Sequence, residues 1–379
     1  MAYITKTSDT EEKLRILSRD SRYDLACSCA TGKDEHRRRS SDDKWIYPVT
    51  FENGGRTFLF KTLLSNKCVN NCRYCPLRAG SDADRRSLGP VELSRTFLAY
   101  YRARKVSGLF LTSGVEAAPD ATMEKINRTA LILRRSGFKG YIHLKVIPGA
   151  SDEAIRHSLS LASAVSINIE TAGEKCFRSL STTKKYKEDI LRPIKLISRL
   201  TSKGAKFSRV KQTTQFVVGA STETDEEIVR STGRLYAGMG LSRVYYSAYQ
   251  RGYGASDLPG ERSRLSNSDL LTREHRLYQA DWLIRKYGFE AGEIPFEKDG
   301  SLSLDTDPKE AWAKRHPDYF PLNVNRAEKE QLIRVPGFGP LTVSRILRLR
   351  SAGVKIRSLA QLGRQTKVLK KAAVYVVFR

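Results

Sequence analysis

Short apolar runs alternate with amphipathic stretches along most of this 379-residue chain. The apolar runs have the length of strands, and the stretches between them repeat their apolar residues with the period of a helix. The predicted strands span residues 57–64, 108–112, 141–147, 164–169, 211–218 and 242–248. The predicted helices lie near residues 91–105, 121–136, 151–160, 187–203, 223–237 and 269–287, after an amphipathic helix at 10–23. Strands that alternate with helices predict βαβ units around a parallel sheet, an α/β fold.

The composition indicates a soluble, cytoplasmic protein, because hydrophobic residues make up 40% of the chain, as in globular proteins. No apolar run reaches the roughly 18 residues that a membrane span needs. The beginning of the chain is charged and lacks an apolar segment, so no secretory signal is predicted. Six cysteines, three of them clustered, do not resemble a disulfide framework and favour a reducing compartment.

The formal net charge of +26 is the second large feature of the sequence. An excess of this size in an ordinary globular composition indicates a polyanionic partner, most often nucleic acid. Ribosomal proteins and membrane-surface binders are also basic, so the total leaves those classes open. The distribution favours nucleic acid, since residues 318–379 hold 13 Lys and Arg against 3 Asp and Glu.

Three cysteines follow the first predicted strand in the pattern C-x3-C-x2-C, at Cys68, Cys72 and Cys75. Three thiolates on one loop can hold three irons of a cubane cluster and leave the fourth iron open to a small molecule. A fourth cysteine would close the cluster and give an electron carrier. The alternative is a structural zinc site completed by a remote Cys or His. We expect the three cysteines to be the metal ligands and the catalytic centre.

With an aromatic residue, Tyr74, directly before the last cysteine, this loop resembles the signature of radical S-adenosylmethionine (SAM) enzymes. The resemblance implies a [4Fe–4S] cluster whose open iron binds SAM, and an electron that cleaves SAM to a 5′-deoxyadenosyl radical. A reductant such as flavodoxin or ferredoxin would supply that electron. The resemblance also implies that the six βα units form a partial (β/α)6 barrel, with its chemistry at the carboxyl ends of the strands.

The same resemblance implies SAM contacts at the ends of the strands, beside Tyr74. Ser113 and Gly114 occupy the position of the family's glycine-rich motif, where a glycine lets the backbone approach a ligand; an ordinary turn is the alternative. Asn168 and Glu170 alternate on one predicted strand and so share a face, which suits the two hydroxyls of a ribose. A substrate contact or a structural hydrogen bond would use the same pair.

Further candidates complete the predicted cofactor site. Gln215 faces the barrel interior by strand parity, and Gly219 lies where the family has an element against the adenine. Lys145 ends a predicted strand, where it would meet a carboxylate or phosphate or lie on the surface. A second cluster stays open for the remaining cysteines considered, which are Cys27, Cys29 and Cys176.

Near the C-terminus, two predicted helices are joined by residues 336–340, PGFGP. This turn resembles the helix-hairpin-helix motif, which binds DNA without reading its sequence. Glycines free the backbone, and N–H groups at the start of the second helix point at a phosphate. Phe338 would pin the turn to the core; a helical packing module and a protein-binding hairpin are the alternatives. The predicted nucleic-acid contacts are Gly337, Phe338, Gly339, Thr342 and Arg345.

Three segments follow: an N-terminal helix and basic loop at 1–50, a radical SAM barrel with a C-terminal excursion at 51–317, and a helix-hairpin-helix domain at 318–379. The combination resembles a radical SAM family associated with DNA modification or repair, often encoded beside a relative of uracil-DNA glycosylases. It implies an enzyme that acts on a base or sugar of duplex or damaged DNA, with a glycosylase-like partner. Modification of structured RNA such as tRNA, and a non-catalytic iron–sulfur DNA-binding sensor, are the competing hypotheses.

Overall fold

The structure, a computed structural model, describes residues 8–24, 45–50, 55–364 and 366–379. The chain consists of two compact units. The barrel unit comprises Met1–Glu223 and Arg234–His275, and the C-terminal unit comprises Thr224–Gly233 and Arg276–Arg379. These units are defined by packing, whereas the segment limits given above follow sequence motifs and stay a prediction. None of the helices in the described ranges is long and apolar enough to cross a membrane.

A seven-stranded sheet forms the centre of the barrel unit. Its strands lie in chain order; β2 to β7 are parallel, whereas β1 pairs antiparallel with β2. The strands are β1 Ile46–Thr50, β2 Arg56–Leu63, β3 Gly108–Thr112, β4 Tyr141–Lys145, β5 Ala164–Ser166, β6 Lys211–Val218 and β7 Arg243–Ala248. Six consecutive parallel strands confirm the predicted α/β half-barrel. β1 lies outside the predicted strands because it contains a proline, which is confined to sheet edges.

Helices lie in the connections between the parallel strands. They are α2 Pro90–Arg102, α3 Pro119–Arg135, α4 Asp152–Leu161, α5 Glu174–Leu180, α6 Arg192–Thr201 and α7 Asp225–Met239, with α1 Ser8–Asp20 before the sheet and α8 Asn267–Tyr287 after it. A π-helical turn, Tyr186–Leu191, runs directly into α6. The local sequence explains several starts: a proline opens α2 and α3, and the Ser151 hydroxyl caps α4 by accepting from the Ala154 N–H at 3.2 Å.

Two strands end earlier than the apolar runs predict, at Lys145 and Ser166. After Ser166 the hydroxyl of Thr214 takes the place of a backbone partner. It donates to the Ile167 carbonyl oxygen at 2.7 Å and accepts from the Ile169 N–H at 3.0 Å. The polar residues that follow therefore lie on a loop and not on a strand face. The sequence pattern could not show this, because the interruption comes from a neighbouring strand.

A chain of polar side chains joins β4 and β5. The Tyr141 hydroxyl lies 3.2 Å from His143 Nδ1, and His143 Nε2 lies 2.8 Å from the Ser166 hydroxyl oxygen. Burial, together with the nearby Lys145 ammonium, lowers the pKa of His143 to about 3. The imidazole is therefore neutral at physiological pH and acts as a hydrogen-bonding link between strands.

The C-terminal unit contains short elements around one apolar core. They are α9 Pro308–Arg315, β8 Leu322–Asn323, α10 Lys329–Leu332, α11 Pro340–Ser351, α12 Lys367–Lys370 and β9 Val376–Val377. α9 lies where the sequence pattern predicted no helix. Asp307 nevertheless caps it by accepting from the Glu310 N–H at 3.0 Å, and Pro308 opens it. The sequence of α9 thus contains the signals of a helix start, Asp307 and Pro308, but lacks the repeat of apolar residues from which the other helices were predicted.

The turn between α10 and α11 is fixed by its glycine and phenylalanine. Gly337 has a φ of +88°, and a Cβ there would lie 2.3 Å from the Val368 carbonyl oxygen, so only glycine fits. Phe338 is 2% exposed within the core of this unit. The Lys309 ammonium donates to the Phe338 carbonyl oxygen at 2.5 Å. These residues therefore hold the turn in place, whatever it binds.

Replacing Phe338 with alanine should destabilise the C-terminal unit by about 3–5 kcal/mol, because it removes a buried ring and leaves a cavity. Hydrogen exchange of the α11 amides, read by mass spectrometry on the full chain, measures this loss. Leu341→Ala is the matched control: that side chain is 88% exposed, so its truncation should leave α11 exchange within about 0.5 kcal/mol of the parent. Equal exchange in the two variants would contradict the role assigned to Phe338.

Candidate active site at the cysteine loop

The loop that carries the three cysteines, residues 65–77, packs against the end of β3. The Gly114 N–H donates to the Ser65 carbonyl oxygen at 2.7 Å. A Cβ on Gly114 would lie 2.3 Å from the Lys67 carbonyl oxygen, so only glycine permits this contact. The sequence predicted a close approach of Gly114 to a ligand. The structure shows a close approach to the cysteine loop itself, which makes Gly114 part of the scaffold of that loop.

Asn71, between the first two cysteines in sequence, ties the loop to the segment after α5. Its side-chain oxygen accepts from the backbone N–H groups of Thr182 and Thr183 at 3.2 and 3.3 Å. Its side-chain amide donates to the Thr182 hydroxyl oxygen at 2.6 Å. The residues that follow Thr183 are thereby held beside the cysteines. No spacing in the sequence indicated this connection.

Arg85 fixes the far end of the same loop. Its guanidinium donates to the carbonyl oxygens of Asn66 at 2.6 Å and Leu77 at 2.9 Å. It also donates to the Arg78 carbonyl oxygen at 2.9 Å and to the Ser81 hydroxyl oxygen at 2.7 Å. A single half-buried side chain thus joins the start and the end of a loop that has no regular secondary structure. An arginine is suited to this because it offers five donors in a rigid fork.

One cavity of the barrel unit brings together nine of the ten residues predicted for the cluster and SAM. They are Cys68, Cys72, Tyr74, Cys75, Ser113, Gly114, Asn168, Glu170 and Gln215. The cavity lies at the carboxyl ends of the parallel strands, as the barrel rule predicts. Gly219 is not among its lining residues, and its φ of +84° explains the glycine without a ligand. Cofactor binding by the nine stays a prediction.

The three thiols differ in exposure: Cys72 is buried, whereas Cys68 and Cys75 are partly accessible. Burial, with the charge of Cys72 adding to it, raises the pKa of the Cys75 thiol to about 12. The Leu77 N–H donates to Cys75 Sγ at 3.4 Å. A thiol with a raised pKa becomes a thiolate when a metal ion displaces its proton.

The donor set distinguishes between the two metal sites considered. Among the described residues, no three His, Cys, Asp or Glu side chains stand close enough to hold a single metal ion. A structural zinc site needs such a compact tetrahedral set. In a cubane cluster the three cysteine sulfurs can stand farther apart, because each one binds a different iron. Three thiols that line one cavity beside amide and carboxylate acceptors therefore fit a cluster with a bound organic cofactor better than an isolated zinc ion.

Glu170 is held in a strained conformation at the cavity wall. Its φ is +68°, and its backbone is fixed by a hydrogen bond to the Gln215 carbonyl oxygen at 3.1 Å and one from the Val217 N–H at 2.8 Å. One carboxylate oxygen, Oε2, is buried without a hydrogen-bond partner. Burial raises the pKa of Glu170, although the charge of Lys184 acts in the opposite direction. An acceptor left unpaired at a cavity wall is suited to a ligand hydroxyl.

Lys145 meets a carboxylate, one of the two roles considered for it, but the carboxylate belongs to the protein. Its ammonium lies 2.8 Å from Asp24 Oδ1 and also donates to the Asn168 side-chain oxygen. Burial alone would raise the pKa of Asp24, but the Lys145 charge reverses this and holds it below its usual value. Asp20 and Asp24 both line the cavity, so the end of the N-terminal helix region contributes to a site that the sequence placed on the barrel alone.

Lys184 is a cavity residue that the sequence did not single out. Cys72, Glu170 and Cys68 lie within the electrostatic reach of its side chain. Burial would lower the pKa of Lys184, but the charges of Cys72 and Glu170 raise it above its usual value. Nothing in the run Thr182–Lys185 (TTKK) separates Lys184 from its neighbour, because the distinction arises from the contact between two distant segments.

The other predicted residues lie elsewhere. Cys27 and Cys29 are outside the described residues. Cys176 is partly accessible, with its Sγ 4.0 Å from the Thr222 hydroxyl oxygen, and is not among the residues that line the cavity. Of the predicted nucleic-acid contacts, Gly337, Phe338, Gly339, Thr342 and Arg345 all lie at the turn before α11 or on its first two turns.

A Gly114→Ala substitution should reduce the iron bound by reconstituted protein several-fold, since the added methyl group forces the cysteine loop away from β3. Iron and sulfide analysis after anaerobic reconstitution measures the loss. Gly238→Ala, in α7 of the same unit, is the control because its Cβ meets nothing within 4 Å. Full iron binding by Gly114→Ala, with unchanged circular dichroism in both variants, would contradict the scaffold role of Gly114.

Comparison with known proteins identifies one domain. Residues 62–234 match the family model described as the Radical SAM superfamily. No curated protein matches the chain.

Solved structures of low sequence identity also align with the chain. They include the FeFe-hydrogenase maturase HydG from Carboxydothermus hydrogenoformans, at 16% identity, a TM-score of 0.45 and coverage of 60% of this chain and 51% of that one. Methylornithine synthase (PylB) aligns at 15% identity and a TM-score of 0.45, over 59% and 63% of the two chains. The cobalamin-dependent enzyme OxsB aligns at 11% identity and a TM-score of 0.36, over 81% and 51%. This chain thus spans about half to two thirds of each. The family model covers residues 62–234, less than half of the chain, and the superfamily that it describes uses a [4Fe–4S] cluster and S-adenosylmethionine as cofactors.

Proposed function

We propose that this protein is a radical SAM enzyme that modifies or repairs a base or sugar of DNA. The observation that carries the first part is the cavity in which three cysteines, a hydrogen-bonding amide and an unpaired buried carboxylate oxygen face one another. When bound, the cluster and SAM supply a carbon-centred radical that removes a hydrogen atom from a substrate. The protein's own residues bind, orient and shield the reacting groups.

Each cavity residue has a role that its chemistry suits. Cys68, Cys72 and Cys75 hold the cluster. Asn168 and Glu170 accept hydrogen bonds from the SAM ribose, and Tyr74 lines the same cavity as a further contact for SAM. The burial of Glu170 and Gln215, which are 3% and 4% exposed, keeps water from the floor of the site. Exclusion of water protects a reactive radical from side reactions.

The DNA part of the proposal rests on the C-terminal unit and the charge, because the solved structures named above are not described as acting on DNA. Gly339, within the turn at 336–340, is the N-cap of α11. The backbone N–H groups of the first helical turn have no partner inside the helix and can meet a phosphate. Arg345 is exposed on α11, three residues after the half-buried Thr342, so both lie on one face of the helix. The excess of basic residues in 318–379 adds attraction to the whole backbone.

Two partners follow from the same proposal. A flavodoxin or ferredoxin would deliver the electron that the cluster needs, and a protein related to uracil-DNA glycosylases would act on the same DNA. The competing hypotheses, an enzyme of structured RNA and a non-catalytic iron–sulfur sensor, are outcomes of the two experiments below.

Cys72→Ala should abolish SAM cleavage and leave DNA affinity within about twofold, since the thiol serves the cluster and the C-terminal unit serves the backbone contacts. Release of 5′-deoxyadenosine under reducing, anaerobic conditions measures the first, and fluorescence anisotropy with labelled duplex the second. A wild-type protein that cleaves no SAM with any DNA present would favour the sensor. Loss of DNA binding in Cys72→Ala would show that the two functions are not separable.

Arg345→Ala should weaken duplex binding several-fold for all sequences alike and reduce the slope of log K against log salt by about 1, because one phosphate contact is lost. Binding is measured in parallel for duplex DNA, single-stranded DNA and tRNA over a salt series. Arg156→Ala, which removes an exposed arginine from α4, is the charge-matched control and should leave the slope unchanged. Tighter binding of tRNA than of either DNA would replace the DNA proposal with the RNA alternative.

A further inference from the structure

The segment directly after α5 places a lysine against the cluster cysteines. Lys184 lines the cavity with all three thiols, and Cys72, the most buried of them, lies within its electrostatic reach. The other lysine among the described residues that line this cavity, Lys145, is engaged by Asp24 and Asn168. Lys184 is therefore the cavity lysine whose charge acts on the cysteines, with Glu170 as its other charged neighbour.

Several hydrogen bonds independent of Lys184 itself hold its backbone there. The side-chain oxygen of Asn71 accepts from the N–H groups of Thr182 and Thr183. The Arg73 N–H donates to the Leu180 carbonyl oxygen at 2.8 Å. On the other side, the Lys185 N–H donates to Asp189 Oδ2 at 2.7 Å. The residues between Leu180 and Lys185 therefore run alongside the cysteine loop. Their backbone hydrogen bonds fix the position from which the Lys184 side chain extends into the cavity.

A cation at this place has a definite effect on a cluster. Reduction adds one electron to a group that already carries negative charge, and a nearby ammonium in a medium of low polarity stabilises the reduced form more than the oxidised form. A lysine ammonium keeps its charge at neutral pH, since its ordinary pKa lies near 10.4.

We propose that Lys184 tunes electron transfer, because it raises the reduction potential of the cluster by placing one positive charge in the cavity that the three cysteines line. This inference rests on the proposed cluster at Cys68, Cys72 and Cys75. Its consequence is that a reductant of modest strength can deliver the electron that starts the reaction. Lys185, one residue further on, is exposed and is not among the residues that line the cavity.

The test is a redox titration of the reconstituted full chain, without SAM, followed by electron paramagnetic resonance of the reduced cluster. Lys184→Met and Lys184→Gln should shift the midpoint potential to more negative values at an unchanged iron content of about four per chain. Lys184→Arg should restore the midpoint potential, because arginine returns the positive charge. Lys185→Met, which removes one charge from the same segment, should titrate as the parent protein does.

Three results would overturn the inference. The first is an unchanged potential in both neutral variants. The second is an equal shift in Lys185→Met, which would show a general charge effect. The third is a failure of both neutral variants to hold a cluster while Lys184→Arg holds it, which would assign Lys184 to cluster retention. A parent protein that binds no cluster would instead refute the proposed function, so the two failures are distinguishable by iron content alone.

Discussion

The site depends on holding an irregular loop so that three thiols line one cavity. A loop without strand or helix pairing cannot do this with its own backbone, so its neighbours supply the hydrogen bonds. Arg85 joins its two ends, Asn71 ties its middle to the segment after α5, and Gly114 lets β3 approach without a clash. These contacts come from three separate parts of the chain. The half-barrel is what brings them to one edge, because parallel strands in chain order end on the same side.

The charges around the cavity are arranged in pairs. Lys145 faces Asp24, and Lys184 faces Cys72 and Glu170. Buried charges are tolerated only when they are paired or hydrogen-bonded, since each loses its hydration. The unpaired oxygen of Glu170 is the exception, and it lies at the wall where a ligand hydroxyl would pair with it. The site thus combines a satisfied scaffold with a small number of groups that a ligand can satisfy.

In the C-terminal unit too, some residues maintain the fold and others are exposed to a partner. Gly337 and Phe338 were predicted as nucleic-acid contacts, yet each also has a structural reason to be there, a positive φ in one case and burial in the other. Arg345 and Leu341 have no such reason, because both side chains are exposed. A turn that is rigid on its inner side can present its outer side to a partner without losing its shape. The basic excess of the segment then needs no fixed geometry to attract a polyanion.

The sequence by itself determined the α/β class, the position of all six parallel strands to within a few residues, the cysteine triad and most of the residues around it. Those features depend on local patterns: apolar period, spacing along one loop, and polar residues directly after strands. Tertiary structure decided where β5 ends, since the Thr214 hydroxyl of another strand replaces its backbone partner. It also decided the surroundings of Asp24, Arg85 and Lys184, which belong to segments outside the strands and the residues directly after them. The physical reason is that a charged side chain looks the same in sequence whether it faces water or a buried partner; only folding brings the partner within reach.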